Sequence, residues 1–167
     1  MKRLIASCFG LGRLPIAPGT WGSLPPAVVF SLMCHSGAPV LLIAVSMAAL
    51  AVAGSVACVK CAPASIAATG KVDPREVVAD EFAGQAITFL AILLLVAEAV
   101  FKSHIWTITL LGFLLFRLFD IIKPWPGRKL EKLPQGWGVL FDDLAAGVYA
   151  GVTLLICVQL WFGRSAG

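Results

Sequence analysis

Between Leu14 and Val59 the chain reads LPIAPGTWGSLPPAVVFSLMCHSGAPVLLIAVSMAALAVAGSVACV, 46 residues without a lysine, arginine, aspartate or glutamate. At the usual soluble-domain share of charged residues, about 25%, a run of this length would hold roughly eleven. Within it lie two apolar segments, 21–36 and 40–59, separated by the turn formers Ser36-Gly37-Ala38-Pro39. The first is short and contains Pro25-Pro26. Working outward, three more charge-free runs occur, 82–97, 103–116 and 144–163, of 16, 14 and 20 residues. A bilayer crossing needs about 20 apolar residues. The pattern predicts an all-α, multi-pass membrane bundle of about five spans, at 21–36, 40–59, 82–101, 105–122 and 144–162, in a single domain covering 1–167.

Composition agrees. The 167 residues are 59% hydrophobic and 13% charged, with a mean hydropathy of +0.93. These values exclude an ordinary soluble globule, a disordered chain, collagen and a coiled coil. The net charge of +4 sits beside apolar spans, so anionic lipid is the expected partner and nucleic acid is not. Five cysteines form no disulfide framework, and Cys58-x-x-Cys61 reads as packing at a span end. Ile5-Ala6-Ser7-Cys8 resembles a lipoprotein cleavage box, but the apolar stretch before it is too short for a signal, so the N-terminus is expected to be retained.

Five crossings with an inner N-terminus place 1–20, 60–81 and 123–143 on one side. That side holds ten lysines and arginines, and the other holds Lys102 and Arg164. The bias is a strong positive-inside pattern. Eight of the nine acidic residues fall on or at the edge of that inner side, Glu98 being the exception. Asp80-Glu81, Asp120 and Asp142-Asp143 each abut an apolar span, where a carboxylate is costly unless paired or metal-bound. Three span ends meeting on one side would form a hard-oxygen site suited to Mg²⁺. Arg117, Asp120 and Lys123 share a broad helix face. Arg117 could pair with Asp120, or Arg117 and Lys123 could hold phosphate oxygens. The stretch from Gly10 to Ser23 is either a glycine-rich anion cradle with Thr20 and Ser23 hydroxyls or a tight loop before a helix capped by Ser23. Gly147 and Gly151 have the spacing of close helix packing. His35 and His104 fall on the outer side, and neither a P-loop nor a Ser/His/Asp set is present. An enzyme made of these parts works with carboxylates, metal and cations.

Four ordered motifs carry a family resemblance: Gly12-Arg13-Leu14-Pro15-Ile16-Ala17-Pro18-Gly19-Thr20-Trp21-Gly22-Ser23; Asp73-Pro74-Arg75-Glu76-Val77-Val78-Ala79-Asp80-Glu81-Phe82-Ala83-Gly84-Gln85; Phe116-Arg117-Leu118-Phe119-Asp120-Ile121-Ile122-Lys123-Pro124-Trp125-Pro126; and Gly138-Val139-Leu140-Phe141-Asp142-Asp143-Leu144-Ala145-Ala146-Gly147. Over about residues 8–160 the chain resembles the phosphatidylglycerophosphatase A family. The resemblance implies a Mg²⁺-dependent phosphatase of the bacterial inner membrane that converts phosphatidylglycerophosphate to phosphatidylglycerol in phospholipid synthesis. The expected catalytic residues are Asp80, Asp120, Asp142 and Asp143. The expected metal ligands are these four and Glu81, and the expected substrate contacts are Arg13, Thr20, Arg117 and Lys123. Attack by a metal-activated water and an aspartyl-phosphate intermediate both fit. Two other readings are a small cation- or proton-coupled transporter, which would want its carboxylates near the midplane, and a non-enzymatic assembly subunit.

Overall fold

A computed structural model describes residues 1–95, 103–125, 127–130, 133 and 136–162. The described residues form helices and no strand. They are α1 (Lys2–Ala6), α2 (Pro18–His35), α3 (Val40–Thr69), α4 (Ala79–Leu95), α5 (Ile105–Ile122), α6 (Gly127–Leu130) and α7 (Gly136–Phe162), with a 3-10 turn at Leu11–Arg13. Expected features at Glu98, Lys102, Glu131, Lys132 and Arg164 lie outside the described residues, as does the end of the third predicted span.

Three helices, α3, α5 and α7, are long and apolar enough to cross a membrane. The expectation of about five such spans is therefore met by three on length and apolarity. α2 has 18 residues, but its glycines and prolines lower its mean hydropathy. α4 is described over 17 residues. α3 runs well past the predicted end at residue 59. Its 30 residues extend roughly 45 Å, more than the ~30 Å hydrocarbon core, so Lys60 projects from a helix rather than a loop. α7 likewise begins eight residues before the predicted residue 144. α2 begins at Pro18, not at Ser23. Proline suits the first turn because it has no N–H to leave unpaired, and Ala17 before it takes a left-handed φ of 47°. Ser23 is instead inside the helix, where its hydroxyl donates to the Gly19 carbonyl at 2.9 Å.

α4 is the central element, packing against α2, α3, α5 and α7. The pairings fix directions. Phe30 of α2 stacks on Phe89 of α4 with ring centroids 4.3 Å apart, while Gly19 lies beside Glu81, so α2 and α4 run parallel. Gly112 lies against Phe89 and Gly84 against Phe116, so α5 runs antiparallel to α4. Gly84 abuts the backbone of Asp143 and Gly147, and Gly151 abuts Thr88 and Ala91, so α7 is parallel to α4. Absence of a Cβ at Gly84 and Gly147 lets the two backbones touch, as the small-residue spacing predicted. Phe30, Met47, Phe89, Ile108 and Leu154 fill the main core, and Cys58 and Cys61 are buried in a second cluster.

The N-terminal segment is clipped to the α3–α4 loop. Val78 N–H donates to the Ala6 carbonyl at 3.0 Å. Arg3 donates to Glu76 from Nε at 2.7 Å and Nη2 at 2.9 Å. This paired guanidinium holds the Glu76 carboxyl below its ordinary range. A carboxyl with a depressed folded-state pKa adds stability above its unfolded value, about 4.3, and that stability disappears as pH falls through the folded value. The stability difference between wild type and Arg3→Met should therefore be present at pH 6–8 and close below about pH 4. Denaturation of the detergent-solubilised proteins across pH measures it, and a gap that widens on acidification contradicts this pairing.

Candidate active site

The parallel packing of α4 and α7 sets the first turn of α4 level with residue 143, two turns into α7, and antiparallel α5 delivers its C-terminal end there. Asp80 and Glu81 sit in the first turn of α4. Asp143 lies one turn before Gly147, as Asp80 lies one turn before Gly84, so the glycine contact sets the carboxylates side by side. One carboxylate oxygen from each of Asp80, Glu81 and Asp143 lies within 4.8 Å of the other two. The N-terminus of α4 favours the negative charge of Asp80 and Glu81, which offsets part of the cost of gathering these acids; Asp143, two turns into α7, has no such help. Asp80 and Asp143 are 3% and 4% exposed.

These side chains open into a polar cavity of about 330 Å³. Arg117 and Asp120 line its α5 wall, with Arg117 Nη1 2.6 Å from Asp120 Oδ2; the i, i+3 pairing is the one the sequence allowed. Ala17, Pro18 and Gly19 line the wall opposite. A methyl group on Gly19 would meet the Glu81 carboxylate and stand 2.8 Å from Arg117 Nη1, so the glycine-rich stretch serves by letting backbone approach the charged cluster. Lys123 also lines the cavity. As the C-cap of α5 it adopts a left-handed φ of 49° and ψ of 66°, a conformation that costs a non-glycine residue energy and clusters at functional positions.

The structure therefore unites Asp80, Glu81, Asp120, Asp143, Arg117 and Lys123. It places the remaining candidates elsewhere. Asp142, 3% exposed, forms an ion pair with Lys123 and faces Gly127, because adjacent residues on a helix point about 100° apart. Arg13 lies 3.8 Å from Glu76, and neither Arg13 nor Thr20 lines the cavity. Asp73 and Arg75 do line it, and were not singled out because the loop before α4 is irregular and has no periodicity to aim them; their place in the second motif was the available signal. Gln85, one turn after Glu81, is fully buried with both amide atoms unpartnered among the described residues.

The donor set suits a hard divalent cation. Asp80 Oδ1 and Glu81 Oε2 are buried without a hydrogen-bond partner among the described residues. Unpaired carboxylate oxygens in such a place are costly, and oxygen-only ligands are what Mg²⁺ and similar ions take.

The phosphatidylglycerophosphatase A family profile matches residues 4–158. The chain belongs to that family. It is 37% identical over 160 residues to the Haemophilus influenzae phosphatidylglycerophosphatase A, covering 95% of this chain and 88% of that protein. It is 31% identical over 159 residues to the Escherichia coli phosphatidylglycerophosphatase A, covering 95% and 84%. A Bacteroides thetaiotaomicron protein carried under the provisional name phosphatidylinositol-3-phosphatase is 35% identical over 158 residues, covering 95% and 92%. No solved structure matches the chain significantly. The four motifs that carried the family resemblance all fall within the matched span.

Proposed function

We propose that the polar cavity is where this chain carries out its family's reaction. The activity is that of a phosphatidylglycerophosphate phosphatase in phospholipid synthesis. The observation that supports this placement is the convergence of Asp80, Glu81 and Asp143 opposite Arg117 in one cavity. Asp80, Glu81 and Asp143, with Asp120 beside them, would hold Mg²⁺. When bound, the ion supplies charge neutralisation at the phosphoryl oxygens and a lowered pKa for water. Arg117 and Lys123 bind and orient the terminal phosphate, Arg117 fixed by Asp120 and Lys123 by Asp142. Asp142 is thus a positioning residue. The incoming oxygen, from water or from a cavity aspartate, attacks phosphorus as the bond to the glycerol oxygen breaks. Trapping with ³²P-labelled substrate distinguishes the two, since only the second leaves label on the protein.

The alternation of direction along α2, α3, α4, α5 and α7 supports five crossings, with the cavity on the cytoplasmic side of a bacterial inner membrane. Asp80, Glu81 and Asp120 lie at helix ends and Asp143 two turns into α7 at the same level, against the midplane position a cation-coupled transporter would use. The test is phosphate release from phosphatidylglycerophosphate in mixed micelles, after chelation and again with Mg²⁺ restored, with phosphatidylinositol 3-phosphate compared. Mg²⁺-dependent release preferring the first lipid is expected; release from neither moves the assignment to a transporter.

A lipid phosphomonoester presents its phosphate at the interface, level with the helix ends. Glycerol 3-phosphate lacks that anchor and should be turned over at least tenfold less efficiently in the same assay. Lys123→Met keeps the aliphatic stem and removes the charge, so turnover should drop about tenfold or more, the scale of a lost charge-assisted phosphate contact, and the thermal midpoint should fall because buried Asp142 loses its partner, while a cooperative transition is kept. Equal rates on the lipid and the soluble ester contradict an interfacial site.

A further inference from the structure

We propose that the apolar groove between α2 and α5 seats an acyl chain of the lipid substrate, in line with the catalytic cavity. This rests on the lipid-phosphatase reading above and extends it to how the lipid is held. The groove has a volume of about 430 Å³, within the range of ligand sites. Leu24, Val28 and Ser31 line its α2 wall, and Thr109, Leu110 and Phe113 its α5 wall.

The groove and the catalytic cavity are walled by the same two helix faces. On α5, Thr109, Phe113, Arg117 and Asp120 succeed one another at steps of three or four residues, which keeps them on one face; the first two line the groove and the last two the cavity. On α2, Leu24, Val28 and Ser31 continue the row that begins at Ala17, a cavity residue, and passes through Thr20. Thr20 thereby falls at the junction, level with a lipid backbone rather than its phosphate. Leu24 to Ser31 lie roughly 8–18 Å along the helix axis from Gly19 at 1.5 Å per residue. One leaflet's hydrocarbon is about 15 Å deep, half of a ~30 Å core. A lipid with its phosphate beside Arg117 would therefore lay its chain in this groove.

The surface the groove presents is apolar, since the hydroxyl oxygens of Ser31 and Thr109 are buried within the protein. Hydrocarbon is what such walls accept. Because the groove continues the helix faces that carry Gly19 and Arg117 in the cavity, the occupant is the chain attached to the phosphate bound there.

The test compares kcat/KM on dipalmitoyl and dihexanoyl phosphatidylglycerophosphate, the second too short to fill the groove. Val28→Trp and Leu110→Trp should each lower the long-to-short ratio at least tenfold. Val152→Trp, at an exposed position of α7 outside the groove, should leave the ratio unchanged, and thermal midpoints check folding. An independent arm uses Trp106, which also lines the groove. Its fluorescence, taken as the difference between wild type and Trp106→Phe, should be quenched by phosphatidylglycerophosphate with brominated acyl chains at mole fractions where brominated phosphatidylcholine has little effect. An unchanged ratio in both groove variants overturns the proposal. So does equal quenching by the two lipids, which means any bilayer lipid fills the groove, or quenching by neither, which means another protein copy covers it. Selective quenching without phosphate release from either chain length supports the groove and overturns the catalytic reading instead.

Discussion

Asp80→Asn and Asp143→Asn should each lower phosphate release from phosphatidylglycerophosphate by at least a hundredfold, about 2.7 kcal/mol of transition-state stabilisation. Each change preserves shape and removes one charge from the group whose oxygens lie within 4.8 Å of one another. A bound divalent ion contributes several kcal/mol by neutralising developing charge, so a ligand lost from a three-carboxylate set has a large effect. The same variants should raise the Mg²⁺ concentration needed for half-maximal protection against thermal unfolding, a readout that does not depend on turnover. Asp142→Asn serves as the contrast. Asp142 pairs with Lys123, so its loss should cost about tenfold, leave the Mg²⁺ requirement unchanged and add little to Lys123→Met in the double variant, as expected for residues that act through one contact. If Asp142→Asn weakens Mg²⁺ protection as much as Asp143→Asn does, the division of roles between these neighbours is wrong.

Gly147→Val should abolish both the cooperative unfolding transition and activity. A Cβ at residue 147 would press on the Gly84 backbone, 3.0 Å from its carbonyl carbon and 3.2 Å from its Cα. Backbone cannot swing aside as a side chain can, and overpacking of a tight contact costs about 1–3 kcal/mol or more. Gly147→Ala, the smallest step, should lower the thermal midpoint by roughly 5–10 °C and activity with it, because the contact sets the level of Asp143 beside Asp80 and Glu81. The corresponding change at Gly151 should be milder in activity: a Cβ there meets the Ala91 Cβ at 2.7 Å and the Thr88 carbonyl oxygen at 3.3 Å, about two turns from Asp143. A Gly147→Ala protein with wild-type stability and rate would show that the α4–α7 contact does not position the site.

Much of this protein is written in one dimension. A run of 46 uncharged residues from Leu14 to Val59 and the three later gaps pointed to apolar helices, of which three are long and apolar enough to cross a membrane, because hydrocarbon leaves a backbone no other way to satisfy its hydrogen bonds than helices or a closed barrel. α5 was bounded at both ends, 105 and 122, since polar residues flank its apolar run and Pro124 prevents the helix from continuing. The Arg117–Asp120 pair was legible from i, i+3 geometry, and the Gly147/Gly151 packing from spacing. The acidic candidates stood out because carboxylates beside apolar runs need a reason. Only the tertiary structure decided which of them meet. Asp142 and Asp143 are indistinguishable as sequence, yet the rotation of α7 against α4, set by Gly147 on Gly84, turns Asp143 into the cavity and Asp142 toward Lys123. Asp73 and Arg75 enter the cavity, while Arg13 is drawn off toward Glu76, because irregular loops carry no period from which to read direction. Helix ends behaved likewise: α3 continues past Lys60 and α7 starts at Gly136, since packing in the second core cluster extends a helix beyond the apolar run that marks its membrane part. Periodicity determines which face of a helix is which, but the azimuth of one helix against another depends on contacts between residues far apart in the chain.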